Sequence, residues 1–452
     1  MNKTTFDALL TDFYQLAMAQ AYFETQMSDT AVFELFVRRL PRTRRFLVAA
    51  GIEQAVDYLE QLRFHDGDLE FLASLKKFSA PFLDYLGSLR FTGALHAMPE
   101  GTPFFADEPI LRVTAPILEA QLLESRVLNI VHFQTTIASK AARCVIAARG
   151  RQLVDFGMRR AHEASAGLFA ARAAYLAGFD ATATVAAGER FAIPLSGTQA
   201  HSFIEAHDSE QAAFSAFVRS RREPTTLLVD TYDTHRALER VISLADELSA
   251  AGGPGAVRAV RIDSGDLAAQ VRSARALFDA RGHRDIQIVL SGGLDEYLIE
   301  GLLMAGVPVD AFGIGTALDV SADAPALDMA YKLEEYAGRP RRKSSPGKAT
   351  WPGAKQVYRE RGAAGLYLRD HIVRLEEPSD GHPLLQEVMR NGRRIAPLPS
   401  LVRVRDYCRG ELQALPPPLR ELREGPQAYA ISISDALREL ADALDSAQAR
   451  SS

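Results

Sequence analysis

The stretch Arg258-Ala259-Val260-Arg261-Ile262-Asp263-Ser264-Gly265-Asp266 runs from an apolar strand straight into a polar turn. The chain then repeats the arrangement. A helical pattern over Asp266–Arg281 leads to a second apolar run, Ile286–Leu290, which ends in Ser291-Gly292-Gly293. Helical spacing over Asp295–Ala305 leads on to Val309–Phe312 and then Gly313-Ile314-Gly315-Thr316. Short apolar strands alternating with amphipathic helices predict a parallel sheet with crossover helices.

The same texture extends in both directions. Upstream strands are expected at Gln152–Phe156, Ala181–Val185, Ile193–Leu195 and Thr226–Val229, and a downstream one at Ala330–Lys332. Ser165–Ala177 and Thr234–Ala251 read as helices between them. So many units suggest closure into an irregular TIM-like α/β barrel. Before it, Glu119–Arg149 reads as one or two long helices. Residues 1–118 mix helical and strand patterns. Residues 339–452 open with the basic, Gly/Pro-rich Arg339–Lys355 and close with helices at Pro399–Gln413 and Ser434–Gln448. The expected division is 1–118, a barrel over 119–338, and a tail at 339–452 that packs with the N-terminal segment as a second, smaller α/β domain.

Composition narrows the function. The 452 residues are 47% hydrophobic and 24% charged, which suits a globular enzyme with a sizeable core. A net charge of -5 argues against a dedicated nucleic-acid binder. Cys144 and Cys408 stand alone, which excludes a disulfide framework and a zinc knuckle. Met1 to Tyr14 has no long apolar run, so neither a signal peptide nor an anchor is expected. No run of about 18 apolar residues predicts a membrane span, and the expected home is the cytoplasm.

Barrel enzymes carry their chemistry where strands end. Phe156-Gly157-Met158-Arg159-Arg160 follows the first strand of the alternation, and Ser196-Gly197-Thr198-Gln199-Ala200-His201 the third. The fourth runs into Asp230-Thr231-Tyr232-Asp233. Alone, each has an ordinary explanation: a turn glycine, a solvated basic pair, a helix cap. Gathered on one rim they form a site. Ser291, Gly292, Gly293, Gly313 and Gly315 suit an anion nest, because glycine lets a phosphate approach backbone N–H groups. Arg159, Arg160 and Arg261 offer planar forks to phosphate or carboxylate. A carboxylate at Asp230 would hold one nitrogen of His201 and leave the other as a nucleophile. Asp263 suits ribose hydroxyls or a Mg²⁺ shell. Asp155-Phe156-Gly157 imitates a kinase metal motif, but no kinase catalytic loop accompanies it.

In this order, the endings resemble the nicotinate phosphoribosyltransferase family of type II phosphoribosyltransferases. Leu10-Thr11-Asp12-Phe13-Tyr14-Gln15, Phe33-Glu34-Leu35-Phe36-Val37-Arg38 and Thr350-Trp351-Pro352-Gly353 extend the likeness over nearly the whole chain. The resemblance implies transfer of a phosphoribosyl group from phosphoribosyl pyrophosphate to nicotinate, with Mg²⁺, in a homodimer with shared active sites. It also implies that ATP phosphorylates His201 and that Asp230 hydrogen-bonds that histidine. Arg261 and Thr198 would hold nicotinate, and Tyr14 would cover its ring from the other subunit. The resemblance puts Asp263 at the ribose, Arg159 or Arg160 at a substrate anion, the glycine loops at the 5′-phosphate, and Thr350 at phosphoribosyl pyrophosphate. Asp155 stands where the family pattern leads one to expect Glu, and His162-Glu163-Ala164-Ser165 also departs from it. The competing readings are a nicotinamide phosphoribosyltransferase and a non-catalytic phosphosugar-binding barrel.

Overall fold

The computed structural model describes residues 7–250, 257–345, 347–423, 425 and 429–451. Two compact units divide the chain: 1–139 with 326–452, and 140–325. Among the described residues no helix is long and apolar enough to cross a membrane.

Unit 140–325 is built on one parallel sheet. Its strands are β1 (Gln152–Asp155), β2 (Ala181–Thr182), β3 (Thr225–Leu228), β4 (Val257–Ile262), β5 (Gln287–Leu290) and β6 (Ala311–Ile314), in the order β2-β1-β6-β5-β4-β3. All neighbours are parallel. Leu227, Leu228, Val260, Ile262, Ile288, Leu290, Phe312 and Ile314 are buried, the near-continuous apolar pattern of strands covered on both faces. Each such side chain stabilises the unit by roughly 1.5–3 kcal/mol. The crossover helices start where capping residues allow. Asp266 Oδ1 accepts from Ala269 N at 3.0 Å, and Asp295 Oδ1 from Leu298 N at 2.8 Å. The expected helix Thr234–Ala251 is Thr234–Ala250, with Ala251 outside the described residues.

Two expected strands do not join this sheet. Ile193–Leu195 supplies only a single bridge, from Leu195 to Thr182. Ala330–Lys332 lies in a strand, Met329–Tyr336, that pairs antiparallel with Thr30–Val37 in the other unit. A short apolar run fits either sheet, and only the long-range pairing separates them.

The other unit holds an antiparallel sheet drawn from both ends of the chain. Its order is Arg339–Pro340, Met329–Tyr336, Thr30–Val37, Leu111–Pro116, Ala94–Ala97, Gln386–Arg390, Arg393–Arg394. A second sheet contains His382–Pro383, Lys355–Arg361, Tyr367–Arg374 and Ala430–Ile433. This unit holds the larger share of the chain, where a smaller domain was expected. The reason is packing: Val127, Ile130 and Val131, on the long helix Glu124–Ala148, belong to its hydrophobic core, as do Met329 and Tyr331.

Candidate active site

The ends of β1, β3, β4, β5 and β6 bring most of the expected residues to one rim. Arg261 is the centre. Its Nη1 donates to Thr198 Oγ1 at 2.5 Å, and its Nη2 to Asp263 Oδ1 at 3.2 Å. Its Nε is buried with no partner among the described residues. The guanidinium lies 5.6 Å from the centroid of the Phe156 ring. Phe156 itself seats against Gly313, where a Cβ would come within 2.3 Å of the ring. The sequence reading assigned Phe156 no role. The signal was indirect: a glycine on β6 and an aromatic directly after β1.

The carboxylates knit the neighbouring turns. Asp230 Oδ2 accepts from Asp263 N at 3.0 Å and from Ser264 Oγ at 2.6 Å. Asp230 Oδ1 is buried without a partner among the described residues. Asp263 Oδ1 also accepts from Ser291 Oγ at 2.5 Å. His201 opens the short helix His201–Glu205, and its Nδ1 lies 3.2 Å from Thr231 Oγ1. The histidine therefore meets the residue after Asp230, where the sequence reading expected Asp230 itself. Asp230 is occupied with the β4 turn. If Nδ1 carries the proton and donates to Thr231, Nε2 keeps a free lone pair.

The glycine loops are shaped for close approach. Gly292 has φ +86 and Gly293 φ +63, and a Cβ on Gly292 would fall 1.8 Å from the Asp263 carbonyl oxygen. Their two successive N–H groups have no acceptor among the described residues, the arrangement of an anion nest. Arg159 and Arg160 lie exposed in the 3₁₀ turn Met158–Arg160, with no ion partner among the described residues.

Behind that turn sit two buried acids. Asp155, on β1, accepts from Gly157 N at 2.8 Å and from Thr182 Oγ1 at 2.7 Å. Asp319 ends the helix Thr316–Asp319 that follows Gly315. Burial, with the Asp155 charge beside it, pushes the Asp319 carboxyl up to about 9. Asp155 is raised too, chiefly by burial. Asp319 has no signal in the sequence, because nothing local marks it as a partner of Asp155.

Tyr14 and Thr350 belong to the other unit. Tyr14 is exposed on the helix Phe13–Glu24. Thr350 is buried, with its Oγ1 3.4 Å from Lys343 N.

Family models match for the nicotinate phosphoribosyltransferase N-terminal domain at residues 9–132, the family itself at 151–339, and its C-terminal domain at 374–441. The nicotinate phosphoribosyltransferase pncB2 of Mycobacterium tuberculosis is 49% identical, over 95% of this chain and 92% of its own length. The chain belongs to the nicotinate phosphoribosyltransferase family. The human nicotinate phosphoribosyltransferase is 31% identical over 97% of each chain. The crystal structure of human nicotinic acid phosphoribosyltransferase superimposes with a TM-score of 0.83, at 30% identity, over 96% of this chain and 99% of that one. The nicotinate-nucleotide pyrophosphorylase of Pyrococcus furiosus gives a TM-score of 0.74 at 25% identity, over 92% and 97%. With the human structure, the family assignment extends over both units and not the rim alone.

Proposed function

We propose that this chain transfers the phosphoribosyl group of phosphoribosyl pyrophosphate to nicotinate, coupled to ATP hydrolysis through phosphorylated His201. The observation that carries the reading is Arg261. Its guanidinium is steadied by Thr198 and Asp263, lies near the Phe156 ring, and keeps a buried Nε without a partner among the described residues. A flat ring bearing a carboxylate complements an aromatic face and a guanidinium together. The nicotinate ring nitrogen would attack the anomeric carbon as the bond to pyrophosphate breaks. Gly292, Gly293, Gly313 and Gly315 would hold the 5′-phosphate, Asp263 the ribose hydroxyls, and Arg159 or Arg160 a substrate anion.

In the coupled half, a nitrogen of His201 would attack the γ-phosphorus of ATP, with ADP as the leaving group; water later releases the phosphate. An Nε2 with no hydrogen-bond partner among the described residues supports this role. Mg²⁺ would neutralise charge on the departing pyrophosphate. Among the described residues no group of three or more His, Cys, Asp or Glu could hold an ion alone. One or two carboxylates, Asp263 and the unpaired Asp230 Oδ1, would therefore share the ion with phosphate oxygens and water. Closure of the parallel sheet into an irregular barrel, a homodimer in which Tyr14 covers nicotinate, a Thr350 contact to phosphoribosyl pyrophosphate, and a cytoplasmic setting complete the reading.

The deciding experiment supplies phosphoribosyl pyrophosphate and Mg²⁺ with nicotinate, nicotinamide or quinolinate, each with and without ATP. Nicotinate mononucleotide as the dominant product, with ATP stimulation and ADP release, is expected. Turnover of nicotinamide instead would move the chain to the sibling activity. No turnover of any base would restore the phosphosugar-binding alternative.

A further inference from the structure

We propose that Asp319 is a positioning residue: paired with Asp155, it fastens the arginine turn at 157–160 to the glycine loop at 313–315. The proposal rests on reading that turn as an anion contact, and deepens it. Asp155 holds the turn through Gly157 N. The two loops are already neighbours, since Ile314 pairs with Asp155 and Phe156 N donates to Ile314 O at 2.8 Å. Asp319 N in turn bonds Gly315 O at 3.2 Å, so its carboxyl is carried by the glycine loop. That carboxyl fills the space where a side chain at 157 would be. A Cβ on Gly157 would sit 2.1 Å from Asp319 Cγ. A side chain at 157 and the Asp319 carboxyl cannot both occupy that space.

Both Asp319 oxygens are buried and, with both acids ionised, have no partner among the described residues. Two carboxylates there would repel each other in a poorly solvated place. One shared proton turns repulsion into an O–H donated from Asp319 to Asp155. The helix at 316–319 packs against the arginine turn and against the helix Ala164–Ala177. Those elements bring Arg159, Arg160, Glu163 and Arg172 as charged groups. The Asp319 shift comes from burial and from Asp155 alone. The pair is therefore a clasp that is closed while protonated and opens on the alkaline side.

The test measures kcat and KM for phosphoribosyl pyrophosphate and nicotinate across pH for the full-length protein, D319N and D319A, with R159A and R160A in parallel. Asp319→Ala is expected to raise KM for phosphoribosyl pyrophosphate on the order of tenfold, with kcat much less affected. Asp319→Asn can still donate an N–H to Asp155. It should keep KM near the parent's at neutral pH and lack the parent's alkaline rise in KM. An unchanged KM in D319A, or an alkaline rise that persists in D319N, would overturn the proposal. If D319A does not fold, the D319N profile decides alone. Unchanged KM in both arginine variants would remove the anion role of the turn; the D319N profile would still support or overturn the clasp.

Discussion

Two groups of buried charges in the 140–325 unit make a useful contrast. Lys140, Arg143, Glu296 and Asp323 combine two cations with two anions. Lys140 Nζ lies 2.5 Å from Glu296 Oε2 and 3.1 Å from Asp323 Oδ1, and Arg143 Nε lies 2.8 Å from Glu296 Oε1. Burial pulls the Lys140 pKa down, but the surrounding groups, Glu296 foremost, outweigh it and leave it above the ordinary value. At the rim the accounts do not balance. Asp230 Oδ1, Arg261 Nε and both Asp319 oxygens are buried without partners among the described residues. Native folds rarely leave buried polar atoms unpaired. A charge set that satisfies itself serves the fold, and one left open points to a ligand or a proton.

The sharpest break in this contrast is His201→Ala. It should abolish ATP hydrolysis, followed as ADP release, while the melting temperature stays put; surviving ATP stimulation would dismiss the phosphohistidine. Glu296→Ala tests the other side. It removes the buried carboxylate that Lys140 and Arg143 share, and chemical denaturation should show a loss of about 3–5 kcal/mol. A loss below about 1 kcal/mol would place this cluster with weak surface pairs.

Arg261→Ala should raise KM for nicotinate by roughly ten- to a hundredfold, the worth of a charge-assisted hydrogen bond, with KM for ATP little changed. Equal effects on both would remove the case for a carboxylate clamp. The smallest effect is on stability in Asp319→Asn. The folded carboxyl is raised from the ordinary 3.8. Its protonated form therefore supports the fold fully below that value, and the support is lost as pH rises toward the folded pKa. The asparagine variant escapes this loss, so thermal unfolding at pH 8 should show it about 2–4 °C more stable than the parent, with the difference shrinking toward pH 4. No difference at pH 8 would mean that the rim pair is as well balanced as the Glu296 cluster.

Much of this was legible from the chain. Arg258–Ile262 announced a strand because Ala259, Val260 and Ile262 form a short apolar stretch that ends in a polar turn, and Asp266 announced the helix start because a carboxylate can cap free N–H groups. The glycines at 292 and 293 were legible because φ above zero excludes most other residues. Ala330–Lys332 was misplaced because a short apolar run does not say which sheet it will join. Phe156 and Asp319 went unread for a related reason: an aromatic over an arginine, or one acid beside another, exists only across strands.

By itself, then, the sequence determined the alternation of strands and helices, the polar strand ends, and the residue types gathered there, since these rest on local periodicity and backbone freedom. Tertiary structure decided the partners. It gave His201 to Thr231, tied Asp230 to Asp263 and Ser264, set Arg261 by Phe156, and put Asp319 against Gly157. Those pairings depend on the order β2-β1-β6-β5-β4-β3, in which neighbours in space are distant in the chain. Local sequence carries no record of a charge approaching from another strand.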